Sequence, residues 1–106
     1  MSDDRVFGDV GTRLLFENDH VRVWKMDLEP GEYSDLHRHE LDMVLINAMG
    51  DRIAVCPEPD TQSPYKEYME ADCFPGQIVF IPRGGVERAH NVGTQPFREI
   101  IVELKD

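Results

Sequence analysis

Gly31-Glu32-Tyr33-Ser34-Asp35-Leu36-His37-Arg38-His39 is the stretch on which the rest of the chain turns. Its two histidines stand at positions i and i+2. Side chains of an extended segment alternate sides, so His37 and His39 share one face and Arg38 looks away. Imidazole is the commonest metal-ligating side chain, and two on one strand face approach a single ion without distorting the backbone. The same parity puts Tyr33 on the histidine face, where its phenol is a candidate substrate-pocket group.

The flanks read as short strands. Upstream, Glu29-Pro30-Gly31-Glu32 is a turn, with proline fixing one φ and glycine freeing another. Before it, His20 to Leu28 is a strand with Trp24, Met26 and Leu28 on one face and Val21 and Val23 on the other. Asn18-Asp19 turns it back to a first strand, Thr12 to Glu17. Downstream, Leu41 to Asn47 is rich in β-branched and large apolar residues, and Gly50-Asp51 predicts a hairpin into Arg52 to Cys56. Pro57, Pro59 and Pro64 make the next segment an exposed loop, after which Tyr65 to Met69 suits a short strand. Gln77 to Ile81, Glu87 to Val92 and Phe97 to Leu104 complete the set, separated by Pro75-Gly76, Pro82-Arg83-Gly84-Gly85 and Gly93-Thr94-Gln95-Pro96. Trp24, Phe80, Ile100 and Val102 are the expected core. No stretch keeps a helical period, so the fold class is all-β, an antiparallel sandwich or barrel.

Composition narrows the function. At 106 residues the chain is expected to be one domain, 1–106, with a loose start over residues 1–5. Such a domain folds without metal or disulfide staples, so a metal here would be functional. Eleven basic and twenty-one acidic side chains give a net charge of −10, which repels phosphate backbones and anionic lipid surfaces. Nucleic acid and membrane are therefore not expected partners. No apolar run reaches the length of a membrane span, and Met1-Ser2-Asp3-Asp4-Arg5 lacks the features of a signal peptide, so the expected location is cytoplasmic. Cys56 and Cys73 form no CxxC pair and are expected as free thiols.

Two histidines need further ligands. Asp42, Met43, Glu87 and His90 are the candidates. On an unbroken strand Met43 faces inward with the histidines and Asp42 outward, an order that a β-bulge would reverse. Thioether is a poor ligand for a hard ion, so Met43 reads as a flexible apolar filler beside the pocket. Glu87 and His90 both follow the Gly84-Gly85 turn.

The punctuation around these residues resembles the cupin superfamily. Its first motif, G-x5-H-x-H-x3,4-E-x6-G, is met by Gly31, His37, His39 and Gly50, with Met43 in the glutamate position. Its second, G-x5-P-x-G-x2-H-x3-N, is met by Gly76, Pro82, Gly84 and Asn91, with Glu87 in the histidine position. Val21-Arg22-Val23-Trp24, Pro30-Gly31, His37-Arg38-His39 and Asp42 are loosely similar to small cupins named for β-alanine degradation.

The resemblance implies a double-stranded β-helix, or jelly-roll barrel, holding one divalent ion (Fe, Mn, Ni or Zn). It further implies a small-molecule ligand and a homodimer. The two departures fall on ligand positions. Either Glu87 replaces the histidine, giving two imidazoles and a carboxylate, or Arg88-Ala89 is an insertion that lets His90 serve. The function expected is a metal-dependent dioxygenase, isomerase or lyase acting on a small polar or carboxylate metabolite. The alternative is a non-catalytic binding or sensory barrel with a degraded metal site.

Overall fold

A computed structural model describes residues 4–106. The described residues form nine strands: β1 (Arg13–Glu17), β2 (Val21–Leu28), β3 (His37–Arg38), β4 (Met43–Met49), β5 (Arg52–Pro57), β6 (Met69–Asp72), β7 (Ile78–Ile81), β8 (Val86–Asn91) and β9 (Phe97–Leu104). They make two antiparallel sheets, one ordered β1-β2-β9-β4-β7 and the other β3-β8-β5-β6. All-β architecture is thus as the sequence predicts. No helix of the described residues is long and apolar enough to cross a membrane.

β9 is central in the larger sheet, paired along its length on both edges. It pairs with β2 from Val21↔Leu104 to Leu28↔Phe97 and with β4 from Met43↔Glu103 to Met49↔Arg98. Its inward residues are Phe97, Glu99, Ile101 and Glu103. Phe97 and Ile101 are each 1% exposed and join Val10, Met26, Leu28 and Met43 in the core between the sheets. Burying each such side chain contributes about 1.5–3 kcal/mol. Glu103 is held inside because Oε1 accepts from both Arg22 Nε (2.8 Å) and Trp24 Nε1 (2.6 Å).

Several expectations change. The predicted β4–β5 hairpin does not form, because β4 pairs with β9 and β7 while β5 pairs with β8 and β6. Each strand has one apolar face to bury, and crossing between sheets at Gly50 buries both. The corner is tight: a Cβ on Gly50 would stand 2.9 Å from Phe97 Cδ1. The strand placed over Tyr65 to Met69 lies instead at Met69–Asp72, where Met69 and Ala71 line the cavity-mouth side of the sheet and Arg52 binds Glu70 and Asp72.

Phe80 is not core but 55% exposed, and Ile100 and Val102 are half-buried on the outer face. Bulk on both faces hid the parity, which turns Glu99 and Ile101 inward. Of the start expected to be loose, residues 1–3 lie outside the described residues, while Arg5 binds Glu58 and Asp60. Cys56 and Cys73 are free, as expected.

Candidate metal centre

β3 is only two residues long, yet its backbone is fixed on both sides of the histidine pair. His37 pairs with Glu87 and Arg38 with Val86. The ladder continues past the strand, since His39 N donates to Gly85 O and Gly84 N to His39 O, both 2.8 Å. The alternation is as the sequence predicts: His37 and His39 are 2% and 5% exposed, while Arg38 is exposed with its guanidinium 4.8 Å from the Phe7 ring.

His37, His39 and Glu87 converge. One ligand atom from each lies within 4.8 Å of the others. His39 Nε2 stands 3.5 Å from Glu87 Oε2, and the two imidazoles meet edge to face at 4.7 Å. Burial, and then the neighbouring His39, push the His37 pKa down to about 4, so this ring is neutral at pH 7. Its Nδ1–H donates to Asp35 O at 2.8 Å, which leaves a bare lone pair on Nε2.

These residues suit a metal ion on three counts. The donor set is two imidazoles and a carboxylate. His39 Nδ1 is buried without a hydrogen-bond partner, a state that costs about 1–3 kcal/mol and that packing alone does not reward. Gly85 leaves the space: a Cβ there would stand 2.9 Å from Glu87 Oε1 and 3.0 Å from His39 Cδ2.

The cluster sits on the wall of a cavity of about 190 Å³ between the sheets. Most of the lining is apolar, from residues such as Leu45, Ile53, Val55 and Val79. The polar exceptions away from the cluster include Glu99, Asn47 and Gln77. Asn47 Nδ2 donates to Gln77 Oε1 at 2.6 Å, and Glu99 is Asn47's neighbour across the β4–β9 ladder. Glu99 is half-buried and lines the cavity. Desolvation, with a smaller push from Glu87, raises its pKa to about 8. Cys73 also lines the cavity, its thiol raised to about 11 by burial.

No family model and no curated protein matches this chain. Solved structures do. A cupin domain from Bordetella pertussis Tohama I matches at a TM-score of 0.75 and 20% identity, over 99% of this chain and 100% of that one. An RmlC-like cupin family protein with a double-stranded β-helix fold, from Methanocaldococcus jannaschii, matches at 0.70 and 17% identity, over 99% and 92%. A sugar phosphate isomerase from a cupin superfamily, from Silicibacter pomeroyi, matches at 0.56 and 22% identity, over 82% and 52%. The chain has the cupin fold.

Within the cupin barrel each singled-out residue has a place. Met43, in the position of the motif glutamate, is fully buried and lines the cavity, as parity predicts. Asp42 faces away and accepts from Arg83 N and Nε, so no bulge brings it to the site. Glu87 occupies the motif histidine position and joins the cluster.

His90 does not. β8 runs without a bulge, and Glu87 and Ala89 face the cavity while His90 turns to the other side. There it stacks on Tyr33, with centroids 3.8 Å apart and planes at 7°. Tyr33 is accordingly outside the pocket and 56% exposed. The parity count from Tyr33 to His37 fails because the intervening residues are not regular strand: Leu36 and His37 are consecutive and both buried. Asn91, the last motif residue, is structural in its contacts, donating to Leu28 O and Gln95 O and accepting from Gly93 N.

Sequence reasoning missed Glu99, Asn47 and Gln77. The available signal was the alternation Phe97, Glu99, Ile101, Glu103, read against the bulkier set Ile100, Val102, Leu104.

Proposed function

We propose that this cupin binds one divalent metal ion through His37, His39 and Glu87 and is a metal-dependent enzyme acting on a small polar or carboxylate metabolite. The observation carrying this reading is the convergence of those three side chains on the wall of a largely apolar cavity between the sheets. Small-ligand sites have this form, a greasy enclosure with a few placed polar groups. When bound, the ion would supply Lewis acidity toward a carbonyl or carboxylate oxygen.

The chain's own residues supply the rest. The apolar walls exclude water and strengthen every polar contact inside. Asn47 and Gln77 offer amide groups to orient the ligand. Glu99 carries a proton at pH 7 and ordinarily exchanges it near pH 8, close to the range where a general acid or base is most effective. This favours a proton-transferring isomerase or lyase over a dioxygenase.

Metal analysis of untagged protein tests the reading. Close to one ion per chain is expected, either as purified or after exposure to Fe(II), Mn(II), Ni(II) or Zn(II). A chain that refuses all four would instead support the non-catalytic binding barrel.

A further inference from the structure

The cavity has a second polar patch, on the sheet that does not carry the metal cluster. Asn47 N donates to Gln77 O at 2.9 Å, which extends the β4–β7 ladder one residue past Ile46↔Ile78. Asn47 also pairs with Glu99 in the β4–β9 ladder. Cross-strand partners share a side of the sheet, so Gln77, Asn47 and Glu99 form one row across three strands, and all three line the cavity.

The amides in this row are half satisfied. Asn47 is 7% exposed, and its side chain is joined to that of Gln77 by a single bond of 2.6 Å. That bond uses one N–H and one carbonyl. Whichever way the two amides are turned, one amide nitrogen and one amide oxygen remain without a partner among the described residues. A donor and an acceptor side by side match a hydroxyl, which both gives and accepts a hydrogen bond; a ketone oxygen only accepts.

Charge restricts the ligand further. No lysine or arginine among the described residues lines the cavity, whereas Glu87, Glu99 and Asp72 do. Arg52, beside Asp72, is paired with Asp72 and Glu70. A divalent ion held by Glu87 and two neutral imidazoles leaves one net positive charge, which a single carboxylate cancels. A second anionic group would lose its hydration with no cation to replace it, inside a chain of net charge −10. Size adds a limit, since about 190 Å³ falls below the roughly 300–1,000 Å³ of sites for drug-sized ligands.

We propose that the ligand of this site is a small hydroxy monocarboxylic acid, its carboxylate directed to the ion and its hydroxyl to the Asn47–Gln77 pair, which sets the specificity. The proposal rests on the metal-centre reading above. Phosphate esters and dicarboxylates are excluded by charge. An amino acid fits less well than a hydroxy acid, because Glu99 keeps its proton at pH 7 and offers an ammonium group no countercharge.

Calorimetric titration into the Mn(II)-loaded full chain tests it. The probes are straight-chain acids of about three to six carbons, each unsubstituted, with a terminal hydroxyl, with a terminal amine or as the dicarboxylate, together with phosphoglycolate. At the best-fitting length the hydroxy acid is expected to bind at least about tenfold more tightly than every other probe, since sites built around a hydroxyl can reject its absence by about 10⁴-fold. Gln77→Leu should erase that preference and leave Mn(II) affinity unchanged. Asn47→Leu should do the same, and serves if Gln77→Leu fails to fold by circular dichroism.

Metal loading is measured first and separates the two readings. A chain that takes up no Mn(II) fails the metal reading, and this proposal falls with it. A loaded chain that binds none of the acids, that binds a dicarboxylate, an amino acid or phosphoglycolate as tightly as the hydroxy acid, or that keeps its preference in both leucine variants overturns this proposal alone.

Discussion

The carboxylate of Glu87 stands 3.5 Å from Nε2 of His39 and directly across the β3–β8 ladder from His37, while His90, three residues on, faces the other way. The two candidates for the remaining ligand are therefore separable by substitution. Glu87→Ala is expected to lower Mn(II) affinity by more than the roughly 10–100-fold typical of losing a supporting contact. His90→Ala should leave affinity within about twofold and only loosen the stack on Tyr33. Calorimetric titration of Mn(II) into each variant checks this, and equal losses would mean that the β8 backbone shifts when metal binds.

Gly85 gives a sharper test, because its effect passes through space alone. An added Cβ at 2.9 Å from Glu87 Oε1 and 3.0 Å from His39 Cδ2 is closer than such atoms normally pack, so both side chains must move apart. Gly85→Ala is expected to reduce metal affinity about tenfold or more while the strand signal in circular dichroism stays unchanged. Unaltered affinity would show that the two ligands have slack.

Glu99 makes a pH prediction. Its carboxyl has an ordinary pKa of 4.5 and a folded value near 8. Below pH 4.5 the folded and unfolded chains both keep the proton, and burial carries no penalty. Between 4.5 and 8 the unfolded chain releases a proton that the folded chain retains, so stability falls by up to roughly 1.4 kcal/mol per pH unit and levels off above 8. Glu99→Gln lacks this slope. The melting temperature of the variant, relative to metal-free wild type, should therefore rise by several degrees between pH 5 and pH 8. Scanning calorimetry reads it. A constant difference would mean that Glu99 is ionised in the fold.

The parts of this protein legible in its sequence are those fixed by local backbone chemistry. The four glycines that frame the motifs, Gly31, Gly50, Gly76 and Gly84, are the described glycines with positive φ, at 88°, 120°, 85° and 112°, so their spacing encodes turns directly. Alternation over His37, Arg38 and His39 gave the site's first two residues because the β3–β8 pairing continues through His39. Parity failed where the strand was not regular, at Tyr33, or where bulky apolar residues stood on both faces, as at Phe80 beside Val79 and Ile81 and at Ile100 beside Ile101. In β9 the acids gave no sign of their side. Glu99 faces the cavity, and only the register against Met26 and Asn47 reveals it. The pairing of β4 was illegible for another reason: a Gly-Asp turn between two apolar strands suits a hairpin and a sheet-to-sheet crossing equally well.

Met43 is the departure from the cupin pattern that most directly tests the site. It is fully buried, lines the cavity and occupies the position of the motif carboxylate. Met43→Glu would place an acid there, next to the buried Glu103 in the β4–β9 register. Without metal an unpaired carboxylate at this depth costs several kcal/mol, so the metal-free variant should melt more than ten degrees below wild type or be poorly folded. A nearby cation reverses that cost, and ligand-linked stabilisation grows with affinity. The rise in melting temperature on adding saturating Zn(II) or Mn(II) should therefore be larger in Met43→Glu than in wild type. An equal or smaller rise would mean that position 43 does not reach the ion, and that the thioether is cavity wall alone.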